Sequence, residues 1–163
     1  MIFVTVGTHE QQFNRLVEYM DIWAKDNEEE VVIQTGFSTY IPQYAKFQKI
    51  FGFKEMSELV EKARIIITHG GPSSFITPLQ IGKTPIVVPR KKEFKEHINN
   101  HQLLFCREVA KRHKNIIEVE DIGKLGETIK RYDKIVSNLK NSLPSNNENF
   151  CKEFEKIVKG ILL

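Results

Sequence analysis

The sequence predicts an α/β chain: a doubly wound, mostly parallel sheet of six strands with helices on both faces, followed by a C-terminal helix. Three observations carry that prediction. Short apolar runs alternate with stretches of helical periodicity along nearly the whole chain, the pattern of parallel strands joined by helical crossovers. Two of the runs end in glycine turns, Gly7-Thr8 and His69-Gly70-Gly71. And 163 residues, 40% apolar and 28% charged, suffice for one domain with its own core.

The first strand, residues 2–6 (IFVTV), is almost wholly apolar and suits a position buried on both faces. Phe13, Leu16, Val17, Met20 and Trp23/Ala24 then recur at helical spacing, which predicts an amphipathic helix over 10–25. The acidic cluster 28–30 reads as a solvated turn, and 31–35 as a second strand stopped by Gly36. Residues 37–45 are irregular. Alternation over 47–53 predicts a third strand, and 56–63 a short helix with Leu59 and Val60 facing inward. Ile65, Ile66 and Ile67 form a fourth strand, a helix opens on Pro72-Ser73-Ser74, and 85–88 is a fifth strand. A helix over 97–111 is expected to bury Leu103, Leu104, Phe105 and Val109. Residues 115–119 make the sixth strand, and Asp121 reads as the N-cap of a helix running through 129–136. The polar stretch 140–148, with Pro144, is a linker. The chain then divides into a Rossmann-like domain, 1–139, and a linker with an amphipathic helix, 140–163. The stripe Phe150, Phe154, Ile157/Val158 and Ile161 either docks on that domain or meets a partner.

With the usual 3-2-1-4-5-6 strand order, strands one and four are neighbours, so the two glycine loops share a crevice at the carboxyl edge. Pro72 suits the first helical position, and Ser73 and Ser74 add hydroxyls to the same helix end. Such an end offers N–H groups to an anion, here read as a diphosphate. Neither GxGxxG nor GxxxxGK[ST] is present, so dinucleotide and P-loop readings fall. Arg90, Lys91, Lys92 and Lys95 form a basic loop that is either solvated or lends positive potential to the diphosphate. His97 and His101 have a spacing that suits zinc, but no third ligand is evident and no Asp-x-Asp awaits a divalent ion, so no metal is expected. A net charge of +3 is too small to argue for nucleic acid. Cys106 and Cys151 are far apart and read as free thiols. No signal region opens the sequence and no apolar run nears the ~20 residues of a membrane span, which predicts a cytoplasmic protein.

The segment THGGPSSF, then K-x-PIVVPR and EHINNHQ, resembles the nucleotide-sugar signature in the C-terminal half of GT-B glycosyltransferases. The N-terminal VTVGTHEQQFNRLVE is similar to the start of the soluble catalytic subunit of two-component UDP-sugar transferases, the eukaryotic UDP-N-acetylglucosamine transferase and its bacterial capsule and exopolysaccharide counterparts. The resemblance covers nearly the whole chain. It implies a UDP-sugar donor, galactose foremost, and no cofactor. By position, Gly7 and Thr8 match the first loop facing the donor diphosphate. His69, Gly70, Gly71, Ser73 and Ser74 match the turn and helix start that hold diphosphate and sugar. His101 and Gln102 form the HQ pair, whose glutamine contacts ribose or phosphate, and Arg90 ends the strand that approaches the uracil. Thr77 stands where many members carry a ribose-binding glutamate. Pro78 after it biases Thr77 away from α geometry, and Glu96 is the substitute acid. The resemblance further implies a membrane-associated partner subunit that supplies the acceptor-side domain and recruits a lipid-linked saccharide acceptor. This chain would reach the inner face of the plasma membrane through that partner. The catalytic base is expected on the partner, and His9 is the one candidate here. The rival readings are a non-catalytic scaffolding subunit and an epimerase, the latter disfavoured by the short chain.

Overall fold

The computed structural model describes residues 1–139 and 147–161. Strands β1 (Ile2–Thr5), β2 (Val31–Gln34), β3 (Lys46–Gln48), β4 (Ile65–His69), β5 (Ile86–Val88) and β6 (Ile117–Glu118) form one sheet. Their order is β3-β2-β1-β4-β5-β6 and every pairing is parallel. The sheet class and order match the sequence expectation.

β1 sits at the centre because its side chains can be buried on both faces. Ile2, Val4 and Val6 join Leu16, Val17 and Met20 of α1 (Asn14–Lys25) in the larger core. Phe3 turns the other way, onto Val60 and Ala63 at α2 (Phe53–Lys62). A third cluster packs Phe75 of α3 (Pro72–Gln80) and Cys106 of α4 (His101–His113) on Val87.

Several boundaries differ from the sequence reading, each for a local reason. α1 begins at Asn14 rather than residue 10. The His9 ring accepts from the Gln11 N–H at 3.1 Å and the Gln12 side chain accepts from the Asn14 N–H at 2.6 Å, turns that compete with helix. β3 is three exposed residues rather than seven. Gln48 bonds the Ile50 carbonyl, and Gly52 starts α2 three residues early, with Glu55 accepting from the Gly52 N–H at 3.2 Å. α4 begins at His101 rather than 97, because the Asn99 side chain accepts from the His101 N–H at 3.1 Å and holds 97–100 in a bend. Its buried face is Gln102, Leu103 and Cys106, so Leu104 and Phe105 stand exposed instead of buried. Asp121 does cap, accepting from the Gly123 N–H at 3.0 Å, but a 3-10 turn follows. The expected single helix is then two, α5 (Leu125–Lys130) and α6 (Tyr132–Asn138), jogged at Arg131.

Residues 140–146 of the expected linker lie outside the described residues, as do the side chains of Phe150 and Ile161. On α7 (Asn147–Ile161), Phe154, Ile157 and Val158 are exposed. Both cysteines are free, Cys106 buried and Cys151 exposed. Among the described residues no helix is long and apolar enough to cross a membrane.

One buried acid was not foreseen. Asp21, inside α1, is wholly buried and accepts from the backbone N–H groups of Gln43, Tyr44 and Ala45 and from the Tyr40 hydroxyl, all at 2.8–2.9 Å. Burial alone would raise its pKa, but these four donors outweigh it and hold the carboxyl below its ordinary value. The loop 40–45 is thereby fastened to the helix.

Candidate functional site

The carboxyl ends of β1, β2 and β4 open into a cleft of 490 Å³ lined by Thr5, Gly7, Thr8, His9, Gln34, Met56, Val60, Ile66, His69, Ser73, Ser74 and Thr77. The two glycine loops meet here, as the adjacency of β1 and β4 requires. Gly7 has φ +75°, and a Cβ built on it would lie 2.4 Å from His69 Cε1. A Cβ on Gly71 would lie 2.4 Å from His69 Nε2. The imidazole of His69 is therefore clamped between two glycines, and both must lack a side chain. Gly70 is buried against Gln102 and Cys106. α3 starts on Gly71 with Pro72 in its first turn and no side chain capping it. Pro72 has no N–H and the Ser74 N–H donates to the Gly71 carbonyl at 3.0 Å, so this helix end offers an anion the Ser73 N–H and the hydroxyls of Ser73 and Ser74, both of which residues line the cleft.

His69 is neutral at physiological pH. Burial first, then the nearby Arg90 guanidinium, push its pKa down to about 4. The unfolded chain binds the proton near 6.5, so the stability tied to the neutral ring is complete above that value and is lost as pH falls toward 4 and below. Full loss amounts to about 3 kcal/mol, the free-energy equivalent of lowering the pKa from 6.5 to about 4. Urea titrations at neutral and acid pH should show that decline, and a His69→Asn variant should flatten it.

His9 presents a specific tautomer. Its Nδ1 accepts from the Gln11 N–H at 3.1 Å, so in the neutral ring the proton sits on Nε2. In that tautomer Nε2 is a hydrogen-bond donor, and His9 lines the cleft. His97 lies between it and His101, with ring centroids 4.9 Å and 4.4 Å away. Among the described residues no group of three histidines, cysteines or carboxylates is placed to hold a metal.

Two candidate residues point elsewhere. Arg90 is fully buried rather than in a solvated or ligand-facing loop. Its guanidinium donates to the carbonyls of Gln11, Gln12 and Val6 at 2.9 Å and of Glu96 at 3.1 Å, and stacks 4.8 Å from the Phe13 ring. It fastens the β1–α1 loop to the β5–α4 loop. Glu96 is also fully buried. Arg15 donates to both its oxygens at 2.9 Å and the Lys91 N–H donates at 3.0 Å, so this acid holds a loop instead of a ribose.

Thr77 is helical despite Pro78, correcting the expected departure from α geometry. It lines the cleft, with its hydroxyl donating to the Ser73 carbonyl at 3.1 Å. Gln102 is buried behind Gly70, and its Oε1 accepts from the Arg90 N–H at 3.3 Å. His101 is exposed at the start of α4, its ring 2.6 Å from Asn99 Oδ1, and it does not line the cleft.

Thr5 and Gln34 line the cleft and were missed. The Thr5 hydroxyl accepts from the Gly7 N–H at 3.2 Å and from the Gln34 side chain at 3.0 Å, while Gln34 accepts from the Phe51 N–H at 3.1 Å. Their signal was available: each is the polar residue near the end of an apolar run, at the carboxyl edge where a doubly wound sheet binds ligands.

Comparison with known proteins bears on this geometry. The family model described as "Glycosyltransferase family 28 C-terminal domain" matches residues 1–161. The human "UDP-N-acetylglucosamine transferase subunit ALG13" is 28% identical over 123 residues, covering 68% of this chain but only 10% of that protein. Among solved structures, the glycosyltransferase SnogD from Streptomyces nogalater superposes with a TM-score of 0.54 at 19% identity, over 94% of this chain and 42% of its own. CalG4, the calicheamicin glycosyltransferase, gives 0.56 at 14% identity, over 85% and 37%. This chain thus spans under half the length of each of these relatives, and the two superpositions bear on fold alone.

Proposed function

Because the chain belongs to the glycosyltransferase family 28 C-terminal domain family, we propose that it is the donor-binding subunit of a UDP-sugar glycosyltransferase whose acceptor-side domain lies on another chain. The observation that carries this reading is the cleft at the β1/β4 edge, where a glycine-clamped neutral imidazole adjoins an uncapped helix start and two serines. The Ser73 amide and the serine hydroxyls would hold the diphosphate, with Gly7 and Gly71 letting backbone approach it. The Nε2–H of His9 would donate to a phosphate oxygen. Such preorganised donors stabilise the negative charge that grows on the leaving UDP.

In an inverting transfer the acceptor oxygen attacks C1 opposite the diphosphate, the bond from C1 to the phosphate oxygen breaks, and its electron pair leaves with UDP. A base must take the acceptor hydroxyl's proton. No carboxylate lines the cleft among the described residues, His69 is too weak a base, and His9 is a donor. On this reading the base would come from the partner subunit, which would be membrane-associated and would present a lipid-diphosphate-linked saccharide. The similarity to the human transferase subunit supports such a pairing, and the amphipathic α7, with Ile157 and Val158 exposed, is the surface to meet it. Galactose as the sugar, and capsule or exopolysaccharide assembly as the setting, rest on the sequence resemblance to bacterial two-component transferases.

The test is calorimetry with UDP, in the presence of the partner, on the wild type and on Gly70→Asp, Ser73→Ala/Ser74→Ala and Gln102→Ala variants. Gly70→Asp should abolish binding, since its Cβ alone would lie 2.9 Å from Cys106 Sγ. The paired serine variant should weaken binding about ten-fold, the loss of roughly one hydrogen bond to a charged group. No UDP affinity in the wild type would sink the reading. The missing carboxylate also favours a second reading, a non-catalytic nucleotide-sugar-binding subunit. Sugar transfer by the partner alone, undiminished without this chain, would select it.

A further inference from the structure

We propose that the edge of the molecule formed by residues 37–54 docks on an anionic lipid bilayer. From Val31 to Lys54 the chain has 24 consecutive residues without an aspartate or glutamate, although acidic residues crowd both flanks at 28–30 and at 55, 58 and 61. Within this stretch large apolar side chains stand in solvent: Phe53 is 91% exposed, Ile41 65% and Tyr44 55%, with Phe37, Phe47 and Ile50 each above 40%. Isolated exposed apolar residues need no explanation, but six within 17 residues do.

Charge selects the occupant. Lys49 Nζ lies 4.8 Å from the centroid of the Phe37 ring and Lys25 Nζ 5.3 Å from that of Tyr44, so basic groups ride on the exposed aromatics. Lys54 follows Phe53 directly. Lys46 is already paired with Glu30 at 2.6 Å and contributes less. Asp21 beneath the patch is wholly buried among four donors, and Glu55 is turned onto the Gly52 N–H, so neither opposes an anionic surface closely. Protein interfaces are depleted in lysine at their cores. Aromatic rings interleaved with lysine are instead the composition of a bilayer interface, where rings enter the headgroup layer and ammonium groups meet lipid phosphates. Each lysine near an anionic surface adds about five-fold in partitioning.

The patch lies along the free side of the sheet, where β3 is the edge strand. The connection from β2 leaves the carboxyl end of that strand and returns to the amino end of β3, so Phe37, Ile50 and Phe53 lie toward the edge at which the cleft opens, and Tyr44 with Lys25 lies toward the other. A chain docked here would lay the β3 side of the sheet on the lipid surface, independently of which sugar it binds.

The experiment is sedimentation of the full chain with phosphatidylcholine vesicles, with and without added phosphatidylglycerol. Binding is expected only to the mixed vesicles, falling as salt rises. Lys49→Glu/Lys54→Glu should reduce it at least ten-fold, and Ile41→Ser/Phe53→Ser should do likewise. UDP affinity in solution, read in parallel, should stay at the wild-type value in both variants, which also reports that they fold. No binding to mixed vesicles overturns the proposal. So does binding that both variants retain, which would assign it to another surface such as α7. If the same substitutions abolish co-purification of a protein partner while wild-type vesicle binding is nil, the patch is a protein interface and the proposal fails.

Discussion

An Arg90→Met variant is expected to lose about 3–5 kcal/mol of stability, the range seen when one member of a buried charged network is removed. The side chain is fully buried and its two terminal nitrogens satisfy four carbonyls drawn from three separate stretches of chain. Methionine fills the volume but donates nothing, so those carbonyls are left short of partners in a dry interior. Arg90→Lys should recover only part of the loss, because one ammonium cannot span the guanidinium's planar fork. Burial lowers the arginine's pKa to about 10, which still leaves it charged at neutral pH. Urea unfolding measures the effect. A loss below about 1 kcal/mol, no larger than an ordinary surface pair, would show that the network is dispensable. UDP affinity should fall alongside, since the β1–α1 loop carries Gly7, Thr8 and His9.

The second large effect lies at the glycine clamp. Gly71→Ala puts a methyl 2.4 Å from His69 Nε2, and the ring cannot swing away because Gly7 closes its other face. Overpacking of this kind costs about 1–3 kcal/mol, and the displaced α3 start should lower UDP affinity at least ten-fold. The diagnostic variant is Gly71→Ala with His69→Ala. Removing the ring removes the clash, so the double variant should be more stable than the two single losses predict, by about 2 kcal/mol of coupling. Strict additivity would mean that the alanine acts through something other than the imidazole.

The fold was legible because its signals are local and repeated. Apolar runs such as Ile65-Ile66-Ile67, separated by helical periodicity, leave few topologies open, and handedness rules reduce them further. That the two glycine loops share one cleft followed from strand order, whereas the His69 ring held between Gly7 and Gly71 did not. Arg90 and Glu96 were not legible, because a basic and acidic loop looks solvated until one sees which other loop covers it. Their partners Gln11, Gln12 and Arg15 are more than 70 residues away in sequence. The helix starts at Asn14 and His101 were misplaced for a smaller reason: Gln12 and Asn99 side chains capture backbone N–H groups that periodicity counts as helical. Leu104 and Phe105 show the limit of apolar pattern alone, since hydrophobic residues on the outer face of a helix leave the same trace as core.

Asp21 has a kinetic corollary. The loop it anchors carries Ile41 and Tyr44, whose side chains stand in solvent while the backbone beneath them is held by three N–H groups on one carboxylate. Whatever meets that rim finds it already shaped, so association loses little loop entropy and requires no ordering step. The observed rate of capture should therefore rise linearly with the concentration of the binding surface, without the plateau that marks a prior conformational change.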